Sequence, residues 1–289
     1  MTTRDTATWI TEALHGSFRS SYRADRVLFD TETGQQRLVL VDNAIFGRML
    51  SLDGVTQVTE RDEFIYHEML THVPMLAHGQ ARSVLIIGGG DGGILREVLR
   101  HPDVEQATMV EIDAGVVDFS RQWLPTVSDG AFDDPRLNLV IADGAAFVRD
   151  TRDRFDVVII DSTDPIGPGE VLFTDSFYGH VQRLLNPGGV VVTQNGVPFL
   201  QGDELAGTMR AFRALFQVAT CYLVTVPTYV GGPMALGFGT DNTDLLNVTE
   251  AELAARLARL DFAPGYYSPA VHRAAFALPR YVEKLVEPD

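Results

Sequence analysis

Residues 83–96 read SVLIIGGGDGGILR, and the fold of the rest of the chain follows from them. Val84, Leu85, Ile86 and Ile87 are a short apolar run, the pattern of a strand buried on both faces. In residues 88–93, GGGDGG, only Asp91 carries a side chain. From Ile94 to Arg100 the spacing becomes helical. A strand, a glycine turn and a helix in that order bring bare backbone and a helix N-terminus against a ligand. The spacing Gly88-x-Gly90-x-x-Gly93 also fits the dinucleotide fingerprint, which alone is weak evidence. A carboxylate at Asp91 repels a pyrophosphate and attracts a cation, so the loop reads as a seat for a positively charged nucleoside rather than for NAD.

Downstream, strands and helices alternate. Apolar runs at 108–112, 137–142, 155–160 and 190–194 predict further strands, and residues 222–226 and 235–239 predict closing ones. Helices are expected at 116–124, 145–151, 173–185, 205–215 and 249–260, with a helical tail to 286. The Pro- and Gly-rich stretch 164–169, DPIGPG, is expected to exclude helix and central strand. This alternation predicts an α/β fold, a doubly wound, Rossmann-like, mostly parallel sheet of the methyltransferase type. Upstream, residues 25–58 carry short apolar runs split by Thr33-Gly34, Asp42-Asn43 and Asp53-Gly54, which predicts antiparallel hairpins. A short helix is expected at 8–14, and a helix entered through the acidic run 60–63 is expected to bend or end near Pro74. The division expected is a small N-terminal antiparallel β domain over 1–60 and a catalytic domain over 61–289.

Bulk composition excludes several function classes. The chain has 289 residues, 45% of them apolar and 21% charged, as in an ordinary globular protein. No apolar run approaches the roughly 20 residues of a membrane span, and the N-terminus lacks a signal-peptide pattern. Cys221 is the single cysteine, so no intrachain disulfide forms and a reducing cytoplasm is the expected setting. A net charge of −16 with no Lys/Arg cluster argues against nucleic acid and for attraction of cationic substrates. No His/Cys spacing suits a metal, and none is expected.

Four consecutive strands each deliver an acid to the carboxyl edge of the sheet, where open α/β sheets bind ligands. These are Asp91, Glu111, Asp143 and Asp161, with Asp164 close behind. One acid after a strand is an ordinary helix cap. Five on one rim repel one another unless a cation joins them. Glu111 lies 18 residues beyond Gly93, near the spacing at which an acid accepts from a ribose diol. Asp143-Gly144 is placed to meet an adenine amino group, leaving Asp91, Asp161 and Asp164 around the reacting end. The acids Glu60, Asp62, Glu63 and Glu68 read as a solvated helix start.

The strings LDGVTQVTERDEFIYHEM (52–69), VLIIGGGDGGILREV (84–98), VEID (110–113) and DSTDPIGPGEVLF (161–173) resemble those of the spermidine synthase family, the polyamine aminopropyltransferases, with the bacterial branch nearest. The similarity runs through nearly the whole chain. It implies that decarboxylated S-adenosylmethionine is the co-substrate and that no tightly bound cofactor is used. The nucleoside would be held by Gln36, Gly88, Gly90, Asp91, Glu111, Asp143, Gly144 and Pro168. The acceptor amine would meet Gln57, Tyr66, His67, Asp91, Asp161, Ser162, Thr163, Asp164 and Tyr229, with Asp161 as proton acceptor. A homodimer, or a tetramer, is expected, with small-molecule partners only. Some relatives carry Gln-Gly-Glu where this chain has Gln194-Asn195-Gly196, which removes an acid from the far amine's surroundings.

The chemistry these residues must perform is a nucleophilic substitution: an amine attacks the carbon beside a sulfonium and methylthioadenosine leaves. A primary ammonium with a pKa near 10.4 is only about one part in a thousand free base at neutral pH. A base is therefore needed, and the carboxylates of Asp164 and Asp91 are expected to raise the pKa of Asp161 toward that task. Tyr66 and His67, adjacent on a helix, are not expected to share a face. The loop 164–173 is expected to act as a lid. The competing readings are a methyltransferase on the same sheet, a polyamine-binding sensor, and an NAD dehydrogenase that Asp91 argues against. The sequence leaves cadaverine, agmatine and spermidine beside putrescine as acceptors.

Overall fold

The structure, a computed structural model, describes residues 8–162 and 167–287. The N-terminal part holds six strands, β1 (Thr8–His15), β2 (Phe18–Ala24), β3 (Arg26–Glu32), β4 (Arg37–Asn43), β5 (Gly47–Leu52) and β6 (Val55–Thr59). β1 and β2 form an antiparallel pair, and β3 to β6 an antiparallel sheet in sequence order. In β4 the side chains alternate between two apolar clusters. Leu38 and Leu40 pack with Val116, Leu124 and Val127, while Val39 and Val41 pack with Ile10, Tyr22 and Met49. The helix expected at 8–14 is instead strand β1. Its Trp9, Ile10, Ala13 and Leu14 have helical spacing, but Ile10 pairs with Tyr22 on β2, and cross-strand packing overrides that spacing.

Helix α1 (Glu63–His78) leads to the large sheet, whose strands are β7 (Ser83–Gly88), β8 (Gln106–Glu111), β9 (Leu137–Ile141), β10 (Phe155–Asp161), β11 (Leu185–Gln194), β12 (Val218–Val224) and β13 (Met234–Thr240). Its order is β12-β13-β11-β10-β7-β8-β9. All neighbours from β11 to β9 are parallel, and β13 runs antiparallel to both β11 and β12. Between the strands lie α2 (Gly93–Leu99), α3 (Ala114–Trp123), α4 (Pro125–Ser128), α5 (Gly144–Asp150), α6 (Asp175–Leu184) and α7 (Pro198–Leu215). The chain closes with α8 (Glu250–Leu257), α9 (Pro269–Ala275) and α10 (Arg280–Val286). None of these helices is long and apolar enough to cross a membrane, among the described residues.

Alternation along β7 explains the double winding. Val84 and Ile86 pack with Met69, Leu70 and Val73 of α1 and Ile94 and Leu95 of α2. Leu85 and Ile87 face the opposite layer, with Phe177 and Val181 of α6 and Met209 and Phe212 of α7. Both faces of the strand are therefore covered, as its unbroken apolar run requires. Strand order reverses between β7 and β10, and the crevice beyond their carboxyl ends is the topological switch point.

Helix α1 departs from expectation in two ways. It continues through Pro74 to a left-handed Gly79, whose N–H reaches the Met75 carbonyl at 2.8 Å. Its acidic start is not solvated: Asp62, Glu63 and Glu68 are all buried. Asp62 accepts from the Thr228 N–H and hydroxyl, and Glu68 accepts from three successive backbone N–H groups of Gly265, Tyr266 and Tyr267. Such acids act as acceptors for distant backbone, which offsets the cost of burying them. Residues 167–173 form a 3-10 helix where an irregular loop was expected; a proline in a first turn forfeits no helical hydrogen bond.

Candidate active site

A cavity of about 360 Å³ opens at the switch point, within the size range of small-ligand sites. The glycine turn builds its floor. Gly88 is the last residue of β7 and pairs with Asp161 at the end of β10. It has φ +84°, and a Cβ there would stand 2.0 Å from the Asp161 carbonyl oxygen, so only glycine fits. A Cβ at Gly90 would meet Glu111 Oε2 at 3.0 Å, so bare backbone and the Glu111 carboxylate face each other closely.

One side of the cavity is organised by backbone amides. Glu111 ends β8 and accepts the Asp113 N–H at 2.9 Å; burial raises its pKa to about 7 against these amide bonds, with the charges of Asp113 and Asp161 adding. Asp113 caps α3 through the Gly115 N–H at 2.8 Å and receives the Thr33 hydroxyl (2.6 Å) and the Gln36 side-chain amide (3.2 Å). Asp143 caps α5 through the Ala146 N–H at 2.9 Å, and Gly144 begins that helix against Ile87. Gln36, Glu111, Asp143 and Gly144 all line the cavity.

The other side is organised by side chains from α1. Tyr66 donates its hydroxyl to Asp161 Oδ1 at 2.5 Å. His67 sets Nε2 3.4 Å from Asp91 Oδ2, and Asp91 Oδ1 accepts the Gly93 N–H at 2.8 Å. Tyr66 and His67 thus both reach the cavity, against the expectation from their spacing. They point to different carboxylates at the ends of two strands, so a shared helix face is not required. Burial raises the pKa of Asp161 to about 6, the Asp91 charge adds to it, and His67 and Tyr66 oppose it. Desolvation therefore leads where neighbouring carboxylates were expected to.

The Tyr229 ring meets Tyr66 edge-on at 5.7 Å, and its hydroxyl donates to the Gln57 carbonyl at 2.5 Å, so both residues line one wall. Ser162 lines the cavity with its hydroxyl buried and unpaired among the described residues; its carbonyl accepts from Gln194 Nε2 at 3.0 Å. Gly169, Val171 and Leu172 of the 3-10 segment also line the cavity. The expectations for Thr163, Asp164 and the Pro168 side chain lie outside the described residues. Among the described residues no arginine or lysine lines the cavity, so its acids are left to face a ligand.

Comparison with known proteins decides the family. Residues 63–249 match the family described as "Spermine/spermidine synthase domain", and residues 8–60 match the "Spermidine synthase tetramerisation domain". The polyamine aminopropyltransferase of Ruegeria sp. (strain TM1040) is 65% identical over 277 residues, covering 96% of this chain and 98% of that one. The chain belongs to the spermidine synthase family. The polyamine aminopropyltransferase of Klebsiella pneumoniae (strain 342) is 55% identical over 271 residues, covering 94% and 95% of the two chains. Among solved structures, a spermidine synthase in complex with the transition state analogue AdoDATO superposes with a TM-score of 0.92 at 38% identity, covering 98% of this chain and 96% of the other. The spermidine synthase of Thermotoga maritima gives 0.89 at 36% identity, covering 98% and 95%. For a spermidine synthase family enzyme, three residues around the cavity escaped the sequence reading. Ile112 is a 40% exposed apolar side chain lining the cavity beside Glu111, and only its place after a strand-end acid could have flagged it. Glu63, read from the sequence as a solvated helix start, and Arg96 lie behind His67, joined by 2.9 Å contacts to both Glu63 oxygens; only the i, i+4 spacing of Glu63 and His67 could have flagged them.

Proposed function

We propose that this polyamine aminopropyltransferase moves the aminopropyl group of decarboxylated S-adenosylmethionine to putrescine, giving spermidine and 5'-methylthioadenosine. The observation carrying the reading is the cavity itself: the strand-end carboxylates Asp91, Glu111, Asp143 and Asp161 line it, and among the described residues no arginine or lysine does. Both reactants are cations, and the carboxylate of S-adenosylmethionine itself would be repelled there. In this reading Glu111 accepts from the ribose, Asp143-Gly144 border the adenine, the resemblance adds Gln36 and Pro168 to the nucleoside site, and Gly88 and Gly90 let the nucleoside approach the backbone. Gln57, Tyr66 and Tyr229 line the amine channel, and His67, Asp91, Asp161 and Ser162 border the attacking nitrogen, where the resemblance also puts Thr163 and Asp164.

The bond formed joins the amine nitrogen to the aminopropyl carbon beside sulfur, and the carbon–sulfur bond breaks with its electrons on sulfur. The sulfonium thereby becomes a neutral thioether, and the proton shed by the amine passes to Asp161. A carboxylate with its pKa raised to about 6 is ionised at neutral pH yet basic enough to take part in that transfer. Holding two reactants in line contributes several kcal/mol toward the barrier, on the order of 7–11 in the best cases. The chain is read as a cytoplasmic homodimer or tetramer, supported by the match of residues 8–60 to a tetramerisation domain. The test is a panel of putrescine, cadaverine, agmatine and spermidine with decarboxylated S-adenosylmethionine, reading each product. Spermidine and methylthioadenosine from putrescine are expected as the fastest pair. Preference for another amine would change the acceptor, and S-adenosylhomocysteine formed from S-adenosylmethionine would indicate a methyltransferase.

A further inference from the structure

The subsites of the proposed reaction follow the strand order. Glu111 and Asp143, on the nucleoside side, follow β8 and β9, whereas β11 lies on the opposite side of β10. Ile160 pairs with Thr193, so Gln194 stands beside Asp161, one strand spacing of about 4.8 Å further from the nucleoside. An amine that attacks beside Asp161 therefore extends its far end over the end of β11. Gln194 itself is tied down there: its Nε2 donates to the Ser162 carbonyl at 3.0 Å and its Oε1 accepts the Gly196 N–H at 2.8 Å. Beyond it the chain turns through Gly196 into α7. A Cβ at Gly196 would fall 2.5 Å from Cδ and Oε1 of Gln201 and 2.7 Å from its Nε2, so the Gln201 amide lies on the bare face of that glycine. We propose that Gln201 determines acceptor specificity: folded back onto Gly196, its side chain closes the acceptor channel at the β11 end and limits the length of amine the site takes. The proposal rests on the aminopropyl-transfer reading and adds a length limit to it.

Gln201 is held in this place from several directions. Its main-chain N–H donates to the Val197 carbonyl at 2.8 Å, and its Oε1 accepts the N–H of the same residue at 3.0 Å. Its Nε2 donates to Glu204 Oε2 at 3.2 Å. The backbone at Gln201 leaves helical values, with φ −125° and ψ 37°, which sets the first turn of α7 apart from the rest. A Cβ at Gly231 would meet Leu200 Cδ1 at 2.5 Å and Val197 Cγ1 at 3.5 Å, so the segment after Tyr229 packs on that first turn. Gln201 thus adjoins the wall that bears Tyr229 and Gln57, and Val197, Val230 and Met234 line the cavity with it.

The consequence for substrate choice follows from size and charge together. Val197, Val230 and Met234 offer apolar surface to the methylenes of an acceptor, and the Gln201 amide that closes the space is neutral. The Glu204 carboxylate takes the far side of that amide, so Gln201 stands between a charge and the channel. Shortening the side chain would both lengthen the channel and uncover the carboxylate, and each change favours a longer cationic amine. A single methylene that a pocket refuses or accepts is worth about 10- to 200-fold in kcat/KM.

The experiment uses the full chain with decarboxylated S-adenosylmethionine and compares putrescine, cadaverine and spermidine, reading methylthioadenosine release. In Gln201→Ala the ratio of kcat/KM for cadaverine to that for putrescine is expected to rise about tenfold or more, and the ratio for spermidine to rise with it. KM for decarboxylated S-adenosylmethionine should stay within about twofold, because the nucleoside subsite lies on the other side of β10. A folded Gln201→Ala variant that keeps both ratios overturns the proposal. So does an equal loss for all three amines, which is what a merely structural residue would give. If Gln201→Ala does not fold, Gln201→Asn, one methylene shorter with the amide retained, decides on the same ratios. An unaltered protein that releases no methylthioadenosine with any amine would sink the aminopropyl-transfer reading itself, whereas an active protein with unmoved ratios would sink only the length limit.

Discussion

The two sides of the cavity hold their acids by different means. On the β8–β9 side, Glu111, Asp113 and Asp143 are anchored by backbone N–H groups two or three residues ahead of them in the chain. On the β7–β10 side, Asp91 and Asp161 are both met by side chains of α1, Asp91 in addition to its own Gly93 N–H, and Tyr66 reaches Asp161 across 95 residues of sequence. Amide anchors are fixed by the local turn and do not titrate. Side-chain anchors bring charge and protons with them. The first kind suits a subsite that binds and releases a nucleoside, and the second suits one that must change protonation during each turnover.

The largest effect that would sharpen this contrast comes from Asp161→Asn. Its kcat is expected to fall by about 10²–10⁴, the usual contribution of a general base, with methylthioadenosine affinity preserved in a calorimetric titration. Near-normal turnover would remove the distinction between the two sides. Next is Glu111→Gln at a pH of about 8, above the Glu111 pKa of about 7, where it exchanges a charged acceptor for a neutral one. Methylthioadenosine should bind about ten- to a hundredfold more weakly, given about 1.5–3 kcal/mol for a charged hydrogen bond, while putrescine KM stays nearly constant.

Tyr66→Phe tests the proton side through the pH dependence of the rate. Burial first and then Asp91 push Asp161 up to about 6, and the Tyr66 hydroxyl pulls it down. The rate should therefore rise with pH through about 6 as one proton leaves, and the variant's limb should move to higher pH with a several-fold loss at pH 6 and little at pH 8. The sign follows because the lost hydrogen bond favours the ionised form. The smallest effect belongs to Asp143→Asn. Asparagine caps a helix about as well as aspartate, so the melting temperature should shift by less than about 2 °C and only nucleoside affinity should register the lost charge.

The same division marks how far the sequence could be read. The glycine turn and the strand-end acids Glu111, Asp143 and Asp161 depend on neighbours in the chain, so spacing revealed them, whereas the caps that Asp113 and Asp143 make were read only from the structure. Strand β1 and the buried start of α1 depend on partners far away. Ile10 becomes strand because Tyr22 pairs with it, and Glu68 is buried because the amides of Gly265, Tyr266 and Tyr267 need an acceptor. No window of ten residues contains both Ile10 and Tyr22, and Glu68 lies 197–199 residues from the amides it accepts from. The joint reach of Tyr66 and His67 was missed for a related reason. Helical spacing describes the helix, but the two carboxylates they reach sit on separate strand ends.

The pairing of Gly88 with Asp161 on adjacent parallel strands has a practical corollary. In the proposed reaction the turn under the sulfonium donor and the residue that would receive the acceptor's proton are neighbours on one ladder, so main-chain hydrogen bonding sets their separation. Redesign aimed at longer or shorter amines is therefore better directed at the wall bearing Gln57 and Tyr229, where reshaping leaves the line of attack undisturbed.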